Sequence, residues 1–385
     1  MDHVDALLAQ ACRQTNLSNF GGGDFREGLG ILVTALDREA RLNAMGRAAT
    51  DAQIIMLLAN RLQIEDWYTR HPEIDEQEIV APLIGLGLPR TGSTALGILL
   101  GEDPAVRSLH NWETMWPCPP PDAATIAHDP RIGWAEDSMA RREQMFPRMT
   151  SMLPSTATSP SECQLFMGLD FKSQIFQAFA HIPSYVEWFI HNADLVPTYQ
   201  YVKRVLKLLQ WRCPPNRWRL KNPSHSLFIN ALNEVFPDAR FVMTHRDVGG
   251  VIPSVADLYF ELRKAYSDDV DMHAIGAETS SVFELGMHRM ITFRDAGHEH
   301  RFFDIKFIPF QKDPFPSIEA LYEFLGETLS PQARAKMNVW WHSKTPEDRC
   351  YERTDPAVFG LNLEHLRAQF GFYAARFGLN QAAVS

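Results

Sequence analysis

The stretch over residues 82–104, PLIGLGLPRTGSTALGILLGEDP, constrains the fold most, because an apolar strand, a glycine turn and a helix start follow one another without interruption. A strand that runs through such a turn into a helix belongs to α/β architecture, and the turn's N–H groups meet the positive end of the helix there. Gly87 and Gly92 have the G-x-x-x-x-G spacing of a phosphate-binding loop, and Ser93 and Thr94 follow where the nucleoside triphosphatase pattern requires lysine and then a hydroxyl residue. The lysine is missing, and the cation inside the turn is Arg90. The N–H groups of residues 90–94 are expected to converge on a phosphate, but not on a triphosphate held by its usual lysine.

Residues 217–259, RWRLKNPSHSLFINALNEVFPDARFVMTHRDVGGVIPSVADLY, supply a second anion site. The pattern predicts a strand over 218–220, a helix over 227–236 with Ser224 as its N-cap, a turn at Pro237 and Asp238, and a strand over 240–244. His245, Arg246 and Asp247 then lie at the C-terminal edge of that strand, where open parallel sheets bind ligands. Arg246 and Ser254 are eight residues apart, so a guanidinium and a hydroxyl can close on one phosphate. Lys221 and Arg246 have a simpler reading as surface partners of Asp238 or Asp247, and Ser254 as a tolerated polar residue of a helix.

With these two motifs in this order, the chain resembles the sulfotransferases that use 3'-phosphoadenosine 5'-phosphosulfate (PAPS). PRTGSTALGILLGEDPAV resembles their 5'-phosphosulfate loop, which reads P-R-S-G-T-T-L in the Golgi and bacterial branches and P-K-S-G-T-T in the cytosolic branch. The arginine form is the closer. LKNPSH followed by FPDARFVMTHRDVGGVIPS resembles the K-x-P element and the 3'-phosphate strand and helix, and FDIKFIPFQKDPFPSIEALYEFLG resembles the late strand, D-P turn and following helix. The similarity runs from about residue 79 to residue 361.

The resemblance implies roles residue by residue. Arg90 would sit on the bridging and 5'-phosphate oxygens, with Thr91, Gly92, Ser93 and Thr94 as loop donors. Arg246 and Ser254 would hold the 3'-phosphate, and Lys221 would approach the oxygen that links sulfur to the 5'-phosphate. In-line transfer at sulfur builds negative charge on that oxygen while the acceptor hydroxyl loses a proton, so fixed cations and one base cover the chemistry without a metal. The arginine-type branch has a glutamate about twenty residues beyond the loop arginine, which falls on Glu113 in HNWETMWP. Burial beside Trp112 and Trp116 would raise its pKa and suit it as the base. His225 is the alternative base, since the cytosolic branch places a histidine shortly after the equivalent lysine and a helix N-terminus favours neutral imidazole. His110 is a third candidate. Glu113 as an ordinary surface carboxylate stays open beside these. Glu162 and Cys163 resemble an E-C pair of some bacterial members, although capping by Ser161 explains the same pattern.

The 385 residues, 45% of them hydrophobic, suffice for one large α/β domain with a helical addition. The five cysteines, Cys12, Cys118, Cys163, Cys213 and Cys350, are scattered and never form C-x-x-C, which argues for thiols and a cytoplasmic enzyme. The acidic start MDHVDALLAQACRQ and the lack of a long apolar run argue against a signal peptide or a membrane span. A net charge of -10 argues against nucleic acid or a polyanionic acceptor, leaving a small or lipid-like one. The H-E-H run ending at His300 sits in a polar turn and carries no metal expectation.

The expected architecture is a parallel sheet with helices on both faces, of the P-loop kinase-like type, over 79–385. Residues 1–78 read as a helical region that forms a lid, a pocket wall or a dimer surface, with helices over 26–42 and 51–68 and a capping box from Thr50 and Gln53. Residues 112–201 read as the acceptor-pocket insertion. There Phe171, Phe176, Phe179, Tyr185, Trp188 and Phe189 line a pocket or pack as core. Near the C-terminus, WWHSKTPEDRCYERTDPAVFGL resembles the family's closing segment; related bacterial members often carry a histidine near the tyrosine at the place of Tyr351, whose neighbours here are Arg349 and Cys350. A small-molecule or nucleotide kinase and a non-catalytic nucleotide-binding protein share the strand-loop-helix. The missing loop lysine and the lack of a strand-terminal aspartate suited to Mg²⁺ disfavour the kinase.

Overall fold

The structure is a computed structural model that describes residues 2–23, 25–214, 217–343 and 354–379. Five strands form one sheet: Leu83–Leu86 (β1), Arg107–Ser108 (β2), Trp218–Lys221 (β3), Arg240–His245 (β4) and Phe302–Lys306 (β5). Their order is β2-β3-β1-β4-β5, and the pairs β1/β3, β1/β4 and β4/β5 are parallel. β1 is therefore the strand on whose two sides the later strands diverge.

Alternation along β4 sends successive side chains to opposite faces. Val242 joins Leu83 and Ile305 in a core with Leu96, Leu99 and Leu100 of the helix Ser93–Gly101 and with Ile318, Leu321 and Met337 of the helices Phe315–Leu325 and Pro331–His342. Phe241 points the other way, edge-on to Phe293 of the helix Met272–Phe293. The sheet is thus covered on both faces, as an all-parallel sheet requires. Burial of each of the three leucines of helix Ser93–Gly101 is worth about 1.5–3 kcal/mol relative to exposure, which fixes the start of that helix against the sheet.

The chain divides into two compact units: Met1–Val80 with Leu109–Trp218 and Glu261–Val270, and Ala81–Ser108 with Arg219–Phe260 and Asp271–Ser385. The second holds β1, β2, β4 and β5 with the loop that follows β1. The first is helical and includes His3–Thr15, Phe25–Arg38, Ala44–Arg70 and Val196–Gln210. Arg61 is its main polar tie: the buried guanidinium donates to the carbonyls of Phe20 (2.7 Å), Gly22 (2.6 Å) and Leu169 (3.1 Å) and lies over the rings of Phe25 and Tyr201. Phe171, Phe176, Tyr185 and Phe189 are buried against one another as core.

Two capping expectations are corrected. Thr50 does not begin a helix: Asn43 caps Ala44–Arg70 by accepting from the Gly46 N–H at 2.8 Å, and the Thr50 hydroxyl bonds back to the Gly46 carbonyl inside the helix. Ser224 does not cap either. Asn222 accepts from the Ser224 N–H at 3.2 Å and opens a 3₁₀ turn, Pro223–Phe228, ahead of the helix Ile229–Val235. In both places an asparagine earlier in the chain, seven residues before Thr50 and two before Ser224, supplies the accepting oxygen in place of the hydroxyl.

Candidate functional site

Three segments leave the sheet at one edge. Gly85 of β1 is level with Lys221 of β3 and with Val242 of β4, so the loop after β1, the turn after β3 and the turn after β4 emerge side by side. The loop turns through positive φ at Gly87 (108°), Arg90 (62°) and Gly92 (92°). For Arg90 that conformation costs about 1–2 kcal/mol, so the surroundings must hold it.

Four contacts do so. The buried Thr91 hydroxyl donates to the Leu88 carbonyl at 2.8 Å and shares a hydrogen bond with the Thr244 hydroxyl at 2.5 Å. Arg246 Nη1 donates to the Arg90 carbonyl at 3.0 Å, and Arg90 Nε donates to Ser254 Oγ at 3.1 Å. The helix Ser93–Gly101 then starts at Gly92 with no side chain capping it, which leaves its N-terminal end to the loop. A side chain at Gly92 would approach the Phe307 ring to 3.2 Å, so glycine is required twice, for φ and for space. Lys221 Nζ donates to Thr94 Oγ1 at 3.2 Å, bringing the K-x-P lysine to the same loop.

Arg246 lies over the Phe307 ring, 4.3 Å from its centroid. The residue before it is clamped: His245 Nδ1 meets the Tyr373 hydroxyl at 2.9 Å, Nε2 meets Asp304 at 2.7 Å, and the ring stacks on Phe377. Burial lowers the His245 pKa more than Asp304 raises it, so the ring is neutral at pH 7. Burial also pushes the Asp304 carboxyl up, but hydrogen bonds from Arg294 (2.9 and 2.7 Å) and His245 outweigh it and hold that group well below the usual carboxylate range. Asp247 is engaged by Arg367, and Asp238 accepts from the Ala81 N–H.

His225 is buried in the turn after Lys221, and burial pushes its pKa down to about 3. It is neutral at pH 7, but a base that weak is poorly matched to proton abstraction there. The Ser224 hydroxyl beside it is 1% exposed and has no hydrogen-bond partner among the described residues. Having lost its expected capping role, it is a polar group at the site that sequence reasoning did not single out. The apolar ring of Phe307 is a second residue that sequence reasoning did not single out, and only the course of the chain out of β5 brings it to Arg246.

Glu113 belongs to the helical unit. It is fully buried rather than a surface carboxylate, and its Oε2 accepts from the His110 N–H at 3.0 Å within the short helix Asn111–Met115. Asn60 anchors that helix by donating to the Met115 carbonyl at 2.9 Å. Ser161 is not a cap: its N–H donates to the Leu109 carbonyl at 2.6 Å, and Cys163 occupies the N-cap position of Gln164–Gly168. Tyr351, Arg349 and Cys350 lie outside the described residues.

Among the described residues no group of His, Cys, Asp and Glu could hold a metal ion, and no helix is long and apolar enough to cross a membrane. Omega-hydroxy-beta-dihydromenaquinone-9 sulfotransferase Stf3 of Mycobacterium bovis and of Mycobacterium tuberculosis is 29% identical over 108 residues, 28% of this chain. The match spans only 28% of the length of those relatives. The crystal structure of sulfotransferase STF9 from Mycobacterium avium superposes with a TM-score of 0.91 at 29% identity, covering 100% of both chains. That of STF1 from Mycobacterium tuberculosis H37Rv superposes with a TM-score of 0.85 at 30% identity, covering 96% of this chain and 98% of the other. The model of the Sulfotransferase family matches residues 82–331, a span that holds all five strands together with Arg90, Lys221, Arg246 and Ser254, and the chain belongs to that family.

Proposed function

We propose that the chain moves a sulfuryl group from PAPS to a hydroxyl of a small or lipid-like acceptor. The observation that carries this reading is the direct bonding of two motifs more than 150 residues apart, Arg246 to the Arg90 carbonyl and Arg90 to Ser254. Two anion-binding elements coupled in this way suit a nucleotide with phosphates at both ends. A cradle braced at a strained Arg90, an uncapped helix start at Gly92 and a lysine at Thr94 fit its 5' end; Arg246 with Ser254 fits its 3'-phosphate.

PAPS supplies the sulfuryl group and leaves as the bisphosphate. Arg90 and the N–H groups of Thr91, Gly92, Ser93 and Thr94 hold the 5' end, and Lys221 neutralises charge on the leaving oxygen. Glu113 takes the proton of the acceptor hydroxyl; His225, at a pKa of about 3, is the weaker alternative. The family supports sulfuryl over phosphoryl transfer. The name of the Stf3 relatives specifies a hydroxylated menaquinone, and a lipid alcohol is the corresponding acceptor class here. A cytoplasmic setting fits Cys12, Cys118, Cys163 and Cys213 as thiols outside any disulfide.

Calorimetric titration with 3',5'-adenosine bisphosphate, in parallel with ATP plus Mg²⁺, tests the donor. The bisphosphate should bind wild type tightly and Arg246→Ala about 30- to 150-fold more weakly, the loss of a charge-assisted contact worth about 2–3 kcal/mol. Binding of ATP alone would overturn the reading.

A further inference from the structure

In the helical unit, residues 170–177 run through the core, and almost every polar group there is satisfied. Ser173 Oγ donates outside the segment to Gln164, whose carbonyl and side-chain oxygens both lie at 2.8 Å. The Tyr185 hydroxyl donates to the carbonyls of Phe171 and Ser173 and accepts from the Ser173 N–H. Arg263 donates twice to the Gln177 carbonyl, at 3.1 and 2.6 Å. The exceptions are two side-chain amides. Gln177 is 1% exposed and neither its Oε1 nor its Nε2 has a hydrogen-bond partner among the described residues; Gln174, 3% exposed, has none at Nε2.

Buried polar groups are almost always paired, and each left unpaired carries a substantial desolvation cost, so an amide orphaned at both ends needs an explanation. The two glutamines sit at the start of the short helix Ile175–Phe179, where residues three apart are surface neighbours. The backbone that carries them is locked by Arg263 and by the Ser173 and Tyr185 bonds, so the amides are held in place by groups that do not themselves satisfy them. Their neighbours Phe171 and Phe176 are buried apolar rings.

The orphaned atoms comprise two amide donor groups and one acceptor oxygen. An anion would answer the donors but face the Gln177 oxygen, and a ketone or ether oxygen would leave that oxygen unsatisfied. An ammonium would answer the oxygen alone and bring an uncompensated charge into the core. A hydroxyl does both, donating to Oε1 and accepting from Nε2. We infer that Gln174 and Gln177 form a binding subsite that holds a hydroxyl of an otherwise apolar acceptor. This rests on the sulfotransferase reading for the word acceptor, but not for the chemistry of the subsite.

The test compares 1-octanol with octyl methyl ether, which can accept a hydrogen bond but cannot donate one, by calorimetric titration with and without saturating 3',5'-adenosine bisphosphate. Wild type should prefer the alcohol by about tenfold, the worth of one good neutral hydrogen bond. Gln177→Met, nearly isosteric and apolar, should remove the preference while leaving bisphosphate affinity within twofold, and Gln174→Met should reduce it in part. Wild type that binds neither probe, or both equally, overturns the subsite without any variant being needed. A preference that survives in both variants, with melting temperatures raised, assigns the amides to internal water and also overturns it. Failure of the bisphosphate to bind would instead count against the donor reading, and the arms without nucleotide still decide the subsite.

Discussion

Gly250→Ala separates the stability of the helix Val248–Tyr266 from the proposed role of Arg246 in holding the donor. Gly250 lies in the helix Val248–Tyr266 with no positive φ, so alanine fits the backbone and gains up to about 0.8–1 kcal/mol of helix propensity. The added Cβ, however, would stand 3.2 Å from Arg246 Nε, 3.3 Å from Nη2 and 3.4 Å from Cζ. The guanidinium must retreat by a few tenths of an ångström. Its Nη1 is held at 3.0 Å from the Arg90 carbonyl and the group lies over Phe307, so a displacement of that size disturbs the hydrogen bond and re-aims the fork that is proposed to hold the 3'-phosphate. Loss of one charge-assisted contact, about 1.5–2 kcal/mol, corresponds to roughly 10- to 30-fold in bisphosphate affinity. Calorimetric titration and thermal unfolding on the same preparation should therefore move in opposite directions: weaker binding, with a melting temperature unchanged or raised. Gly249→Ala is the control, because its Cβ meets the exposed Arg367 and Asp247 pair, and exposed pairs contribute little. Wild-type affinity in Gly250→Ala would refute the assignment of Arg246 to the ligand; a joint fall in affinity and stability would refute the packing argument.

Three other perturbations follow from the site. The His225 imidazole titrates near 6.5 when unfolded and near 3 in the fold, so the unfolded chain binds more protons between those values. Stability from this group is complete above pH 6.5 and falls as the medium is acidified, by about 2 kcal/mol at pH 5; His225→Gln should flatten denaturant-measured stability across that window, and an unchanged slope would contradict it. Glu113→Gln keeps an oxygen for the His110 N–H, so melting should shift little while turnover with labelled PAPS falls at least 100-fold; retained turnover removes Glu113 as the base. Thr91→Val deletes two buried hydrogen bonds and leaves the Leu88 carbonyl and Thr244 hydroxyl unanswered, so unfolding free energy should fall by about 1–3 kcal/mol together with bisphosphate affinity, and a neutral result would show that Arg90 is braced by other means.

The parts of the molecule that could be read from residue order are those decided over short stretches of chain. The apolar run into Gly87, the glycine at Gly92 and the helix after it encode a strand, a positive-φ turn and an open helix start within a dozen residues, and their coincidence points to an anion. The eight-residue spacing of Arg246 and Ser254 likewise carries its own geometry, although in the structure Ser254 faces Arg90 directly. Caps were less legible. Asn43 and Thr50, or Asn222 and Ser224, offer equivalent oxygens, and which one accepts depends on where packing stops the helix, as the burial of Ser224 illustrates. Phe307 under Arg246 and Tyr373 against His245 left no local signal at all. They arrive through strand order, and the sequence separations of 61 and 128 residues contain nothing that pairs them.

The clamp on His245 also bears on where this protein can be cut. Every residue with an assigned anion-binding role falls between Arg90 and Ser254, and the family match ends at residue 331, so a shortened version would look complete by its motifs. Yet the end of β4 is gripped by Tyr373 and Phe377, more than forty residues further along. Trimming at the match boundary would strip one wall from the histidine that precedes Arg246 and leave a buried imidazole and Asp304 open to water. The smallest piece able to keep the end of β4 as it stands is therefore set by the helix Gly371–Phe377, a segment whose composition gives no hint of the task.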